Sequence, residues 1–349
     1  MYSLIDIINA CPEKPWEWAH LSENPNVTMA FVLANPEKPW SFVFVSGNPN
    51  VTMAFVLANP EKPWSWEWLS MNPSITMKDV TSNPNKPWDW YALSLNPNVT
   101  MAFVLANPDK PWHWVNLSRN QGITMADVLS NPDLPWNSHF LSKNRNITMA
   151  DILAYPDKPW DWRHLSYNPN ITIADVVTNP DKPWDWEWLS ENPIITMEFV
   201  LANPDKEWSW ERLSRNPNIT VEFVLSNLDE DWDWEELSQN PGITMADVVA
   251  NPEKPWEWGY WGLSANPNIT MAFVLANPNK PWDWERLSKN EFGYETTIAY
   301  YSKRRDATVK QMKVFWEELI AVTWHPKGAM FKYYLEEHGM DFLDDDDDA

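Results

Sequence analysis

The residues of this chain that could perform chemistry are few and far apart. Metal sites and acid–base centres often use histidine, but none of the six histidines belongs to an HxxxH or HExxH arrangement. The single cysteine, Cys11, has no second thiol with which to form a disulfide or a cysteine-based zinc site. The histidines are His20, His113, His139, His164, His325 and His338. The spacing of these histidines indicates no metal ligand and no cofactor-binding residue.

Nucleophilic and nucleotide chemistry also lack a sequence signature. The chain contains no P-loop, no GxSxG elbow and no dinucleotide fingerprint. A serine recurs at the same place in every repeat, so none can be singled out as a nucleophile beside a base. The acidic run at 344–348 could attract calcium, but a run of carboxylates lacks the turn geometry of a calcium loop. The sequence therefore predicts a protein that is not an enzyme, with no catalytic residue.

The main feature of the chain is a tandem sequence repeat. A phrase of the form Asn-Pro-acid-Lys-Pro-Trp-x-Trp-x-x-Leu-Ser-x-Asn-Pro-x-Ile-Thr-Met returns every 24 residues over 11–290, with one 26-residue unit at 251–276. We count places within a unit from its first residue. Units 1 to 12 begin at Cys11, Asn35, Asn59, Asn83, Asn107, Asn131, Tyr155, Asn179, Asn203, Asn227, Asn251 and Asn277. Such a short fixed period predicts a solenoid, in which each unit buries its apolar face against its neighbours.

Each unit reads as two short helices. In unit 3, Pro63 suits a first helical turn, which predicts a first helix from Pro63 to Met71 that ends before a proline. Thr76 then predicts the N-cap of a second helix. This threonine completes an Asn-x-Thr sequon in seven units, and we interpret it as a helix cap because no secretion signal precedes it. The alternating segment 41–45 favours a strand instead, but two prolines per unit argue against a sheet.

These observations predict an all-α fold, an α-solenoid of short helix-turn-helix repeats that is long and open. Residues 1–10 read as an N-terminal half-repeat cap and 11–290 as the tandem-repeat solenoid. Residues 291–343 are predicted to form a helical C-terminal capping module that seals the open end, because apolar residues recur there at helical spacing. Residues 344–349 are predicted to be an acidic, disordered tail.

Two rows of tryptophan run through the array. The row at place 6 is present in every unit and predicts the core. The row at place 8 is the candidate interaction surface, since part of it could stay exposed; the alternative is that its rings stack on the prolines of the next unit. An asparagine at place 14 of all units either ties neighbouring units together or only suits the turn. The place-8 residues are Trp18, Trp66, Trp90, Trp114, Trp162, Trp186, Trp210, Trp234, Trp258 and Trp284.

Charge and hydropathy limit the partners. The net charge of −23 disfavours nucleic acid and anionic lipid. No apolar stretch approaches membrane-spanning length, and the first residues lack the basic region of a signal peptide, so a cytoplasmic location is expected.

The repeated NPNIT, NPDKPWDW and LS segments resemble the Trp-rich short-repeat proteins that giant DNA viruses of amoebae and other protists encode in many copies. The C-terminal EELIAVTWHPKGAMFKYYLEEHGMDFLDD is similar to a terminal module of proteins from those viruses, although Gly328 stands where a basic residue is expected. Together the two similarities cover nearly the whole chain. The resemblance implies a virus-encoded protein of the host cytoplasm, the viral factory or the virion, and it supplies no catalytic residue.

The function expected from the sequence is a non-enzymatic scaffold or adaptor that binds a protein, of host or viral origin, without a cofactor. One alternative is a structural component of a virion or fibre that associates with itself. Another is a carbohydrate-binding module that uses the place-8 tryptophans.

Overall fold

In the computed structural model each repeat forms two short helices joined by tight turns. The structure describes residues 4–292. Over that range the secondary structure is helical with no strand, so the all-α solenoid prediction is confirmed, and residues 41–45 belong to a helix rather than a strand. The capping module predicted for 291–343, beyond residue 292, and the tail at 344–349 lie outside the described residues. None of the described helices has the length and hydropathy needed to cross a membrane.

The first helix of each unit begins at place 8, three residues later than the sequence predicts. In unit 3 the Trp64 N–H donates to the Lys62 carbonyl at 2.9 Å, which closes a tight turn around Pro63, whose fixed φ suits that turn. The side chain of Ser65 then caps the helix by accepting from the Trp68 N–H. The first helices span Trp18–Glu23, Phe42–Gly47, Trp66–Met71, Trp90–Leu93, Trp114–Arg119, Ser138–Leu141, Trp162–Tyr167, Trp186–Glu191, Trp210–Leu213, Trp234–Gln239 and Trp284–Lys289, with a 3-10 turn at Leu263–Ala265 in unit 11.

The second helix of each unit begins directly after the threonine at place 18, as predicted. In unit 3 the Thr76 hydroxyl accepts from the Asp79 N–H while the Asp79 carboxylate accepts from the Thr76 N–H, a complete capping box. The second helices span Met29–Ala34, Met53–Ala58, Met77–Ser82, Met101–Ala106, Met125–Ser130, Met149–Ala154, Ile173–Thr178, Met197–Ala202, Val221–Ser226, Met245–Ala250 and Met271–Ala276. The first and second helices of the units have six residues or fewer, so packing between units must stabilise them.

The core runs through the units as rows of equivalent side chains. Leu69 at place 11 and Ile75 at place 17 are fully enclosed in unit 3, and their equivalents are buried in the other units. The place-6 tryptophans form one wall of this core and are buried or half-buried. Their indole N–H groups donate within the unit, as from Trp64 Nε1 to the Asn59 carbonyl at 2.8 Å. The tryptophan row therefore lies in the core as predicted, beside a more deeply buried aliphatic row.

A ladder of buried polar side chains joins each unit to the next. Asn72 Nδ2 donates to the carbonyls of Ser46 and Asn48 in the preceding unit, at 2.8 and 2.9 Å. The Ser46 hydroxyl accepts from the Ser65 N–H of the following unit at 2.9 Å. Both side chains are almost completely buried. Of the two interpretations of the place-14 asparagine, the inter-unit ladder is therefore confirmed.

The array closes on itself, so the expectation of a long, open stack is wrong. Asn24 Nδ2 in unit 1 donates to the carbonyls of Ser288 and Asn290 in unit 12, at 3.0 and 3.1 Å. The Glu17 N–H donates to Ser288 Oγ at 3.0 Å. These are the same bonds, between the same places, that join neighbouring units elsewhere. The sequence does not reveal closure, because a repeat has the same interface residues in an open stack as in a closed ring.

The N-terminal helix Leu4–Ala10 takes on a role in this ring. Unit 12 leaves the repeat phrase after Asn290. The helix Leu4–Ala10 directly precedes unit 1, in the position where a second helix precedes each later unit, and Ile8 is buried like its equivalent Val32. The half-repeat at the N-terminus thus stands before unit 1 as the second helix of the preceding unit stands before each later one.

Candidate functional site

The place-8 tryptophans, the surface nominated from the sequence, lie at the interfaces between units. All ten are half-buried. Trp66 meets Trp88 of the next unit edge to face, with ring centroids 5.1 Å apart, and the Lys86 ammonium lies 5.6 Å from the Trp66 ring centroid. The contacts recorded for most other members of the row repeat this arrangement. These rings therefore pack on a tryptophan and a lysine of the following unit.

A different face of the first helix varies from unit to unit. Places 9, 10 and 13 lie on the side of the helix opposite the buried place-11 leucine and place-12 serine. First helices of adjacent units pack closely, whereas second helices lie farther apart. In a closed ring the more closely spaced helices form the inner wall. Places 9, 10 and 13 thus face the centre of the ring, and we call them the inner strip.

At ordinary helix-packing distances, twelve first helices arranged in a ring enclose an opening along its axis. Packed helices lie about 8–10 Å apart, so twelve first helices place their axes on a circle about 30–38 Å across. Subtracting a side-chain radius of about 5–6 Å on each side leaves an opening of about 20–27 Å. An α-helix or an extended peptide, about 10–12 Å wide, fits within it.

Over units 2 to 4 the inner strip is mostly apolar, with Glu67 as its one charged member. Val43 and Tyr91 are 47% and 54% exposed, which is high for side chains of their size. Phe44 and Trp68 of neighbouring units contact each other, with ring centroids 5.6 Å apart. Gly47 makes room for Trp68, because a Cβ at position 47 would lie 2.5 Å from Trp68 Cε3. A small residue in unit 2 thus accommodates a large side chain of unit 3 along this sector.

Over units 8 to 10 the inner strip is charged. Arg212 forms ion pairs with Glu187 and Glu191 of the preceding unit, both at 2.9 Å. Arg215 pairs with Glu236 of the following unit at 2.8 Å, and this hydrogen bond with Glu236 raises the pKa of Arg215. The strip therefore carries an apolar sector and a charged sector at different positions around the ring.

Between these sectors two histidines and an aspartate meet across the interface of units 6 and 7. His139 at place 9 and His164 at place 10 both direct Nδ1 at Asp161 Oδ2, and His164 Nδ1 lies 2.8 Å from that oxygen. His164 Nδ1 is shielded from solvent and does not form a hydrogen bond of good geometry. The imidazole and carboxylate donor atoms all lie within 4.8 Å of one another.

The surroundings favour a neutral imidazole beside an ionised carboxylate. Burial lowers the pKa of His164, and the positive charge of Lys143 adds to that effect, while Asp161 acts in the opposite direction. Burial raises the pKa of Asp161, but the close approach of the His164 imidazole and the hydrogen bond from the His164 backbone N–H outweigh it and leave the pKa below its usual value. Asp161 Oδ1 accepts from the His164 N–H at 3.2 Å, which also caps the helix.

This cluster has no signature within a single helix, because its two histidines belong to different units. His139 and His164 are 25 residues apart, one period plus one, and this offset brings place 9 of one unit against place 10 of the next. The same offset joins Glu187 to Arg212. A search for chemical groups at one period plus one would have found the cluster.

Comparison with protein-family models, with curated proteins and with solved structures finds no match. The arguments about function therefore depend on the geometry of the ring.

Proposed function

We propose that this chain is a non-enzymatic scaffold whose closed ring binds a protein partner through the inner strip. One observation supports the proposal above the others. The places that hold the ring together repeat almost unchanged, while the variation between units is greatest at places 9, 10 and 13, which lie on one face of the first helix and are exposed or half-buried in most units. In repeat proteins the stacked units create an extended binding surface, and changes at places outside the interfaces alter that surface without disturbing the stack.

The chemistry of the inner strip suggests the class of partner. Binding energy at protein interfaces is concentrated in a few residues, with tryptophan, tyrosine and arginine enriched. The apolar sector offers Phe44 and Trp68 in contact, with the exposed Tyr91 in the next unit, and it suits a segment that inserts apolar side chains. The charged sector is internally paired, so it contributes orientation more than affinity. A polypeptide with an apolar face is the partner that this arrangement favours.

The two alternatives have less support. A fibre built by end-to-end stacking needs free repeat faces, and units 1 and 12 use theirs on each other. A sugar-binding ladder needs open ring faces, and the place-8 rings pack against tryptophan and lysine of the next unit. The resemblance to giant-virus repeat proteins provides the proposed setting, the infected host cell.

Site-specific photocrosslinking tests the proposal. A photoreactive phenylalanine derivative replaces Tyr91 on the inner strip or, as a matched control, Leu105 on the second helix of the same unit; the two are 54% and 50% exposed. We expect a defined crosslinked partner from position 91 and not from position 105. Sedimentation across a concentration series should show a monomer. Reversal of the crosslinking pattern, or growth of large assemblies without a partner, would contradict the proposal.

A further inference from the structure

We propose that His139, Asp161 and His164 form a binding site for a divalent transition-metal ion, with Zn²⁺ the best fit, and that the bound ion joins units 6 and 7. This site is independent of the proposed partner binding, because its evidence is the geometry of three side chains.

The donor set selects the ion. Two imidazole nitrogens and one carboxylate oxygen suit zinc and its neighbours in the first transition row, whereas calcium and magnesium prefer oxygen alone. Three protein ligands leave a fourth position for water in a tetrahedral site. His139 is on the solvent side of the cluster, with 48% of its side chain exposed, so the fourth position can face the ring opening.

The distances require only a small adjustment. Zinc–ligand bonds of about 2.0–2.1 Å at tetrahedral angles place donor atoms about 3.3 Å from one another. The three donor atoms already lie within 4.8 Å. His164 Nδ1 and Asp161 Oδ2, now 2.8 Å apart, need to separate slightly to share an ion, and rotation of the exposed His139 adjusts the position of the third ligand.

The surroundings orient two of the three ligands. Asp161 uses Oδ1 to cap the helix at the His164 N–H, which leaves Oδ2 for the ion. The buried Nδ1 of His164 faces the same point without a well-formed hydrogen bond. The outer environment is less favourable, because the charge of Lys143 acts on His164. Removal of that charge should therefore tighten metal binding.

The test uses the full chain without an affinity tag that binds metals. Calorimetric titration with Zn²⁺ measures stoichiometry and affinity, and Co²⁺ absorption reports coordination, since tetrahedral Co²⁺ absorbs far more strongly than six-coordinate Co²⁺. We expect one ion per chain. His139→Ala and Asp161→Asn should each weaken binding at least about 100-fold, since the loss of an outer-shell partner alone costs about 10–100-fold. Asn is a good helix cap, so Asp161→Asn keeps the helix start.

Two further variants complete the design. His113→Asn removes a histidine that caps the first helix of unit 5 and should leave binding unchanged. Lys143→Ala should strengthen binding several-fold. The proposal is overturned if the wild-type chain binds no stoichiometric ion, or if binding persists in His139→Ala and Asp161→Asn, which would place the ion elsewhere, as on the acidic run at 344–348.

Discussion

Ring closure makes a specific prediction about Asn24. In an open stack the first unit has no neighbour before it, so its place-14 side chain would face solvent and Asn24→Ala would have little effect. In the ring Asn24 is 1% exposed and donates to two carbonyls of unit 12. Its Oδ1 also accepts from the Asn26 N–H at 2.9 Å. The substitution therefore separates the two architectures.

The structure sets the size of the effect. Asn24→Ala removes three hydrogen bonds in a buried setting, each with a net contribution of about 0.5–1.5 kcal/mol, and it leaves the buried carbonyls less satisfied. We expect the free energy of unfolding to fall by about 2–4 kcal/mol. Asn144→Ala, in the middle of the chain, removes the equivalent three contacts and one more, to the Ile123 carbonyl of unit 5, and should cost at least as much.

Urea denaturation followed by far-ultraviolet circular dichroism measures these changes. Asn26→Ala is the matched control, because Asn26 Nδ2 also donates across the closure, to the Glu291 carbonyl, but at an exposed position where water can replace it. We expect a loss of less than about 1 kcal/mol for this variant. If Asn24→Ala is as mild as Asn26→Ala while Asn144→Ala is severe, the ring is open in solution and the closure argument fails.

Two further predictions concern the repeated contacts. Ser118→Ala should lower stability by about 1–3 kcal/mol, measured by thermal denaturation, because the buried hydroxyl donates to the Trp114 carbonyl and accepts from the Asn137 N–H of the next unit. Thr148→Ala should cost about 1–2 kcal/mol and Thr100→Ala less, because only Thr148 belongs to a capping box with Asp151; equal losses measured by urea denaturation would show that the box adds nothing.

The sequence predicted the parts of the fold that depend on local chemistry. The threonine caps and the helical class follow from side-chain groups acting on nearby backbone, whereas the asparagine ladder was one of two interpretations that the sequence left open. The start of the first helix was placed too early at Pro63, because proline suits a first helical turn and a tight turn equally well. The inner strip and the His139, Asp161 and His164 cluster depend on how one unit is set against the next. The sequence of a single repeat does not show which places of neighbouring repeats contact each other.

The 26-residue unit 11 supports the division between an invariant framework and a variable inner face. Its two extra residues fall just before the 3-10 turn Leu263–Ala265, and the ladder continues through them. Asn266 Nδ2 still donates to the Ser238 carbonyl at 2.8 Å, and Ser264 Oγ still accepts from the Asp283 N–H at 3.0 Å. The inserted segment instead exposes Trp261, 53% accessible, where Arg286 of the next unit lies over its ring. The two extra residues therefore lie beside the inner strip, and the hydrogen bonds between neighbouring units are kept. This is the result expected if selection preserves the ring and allows the residues of its inner face to change.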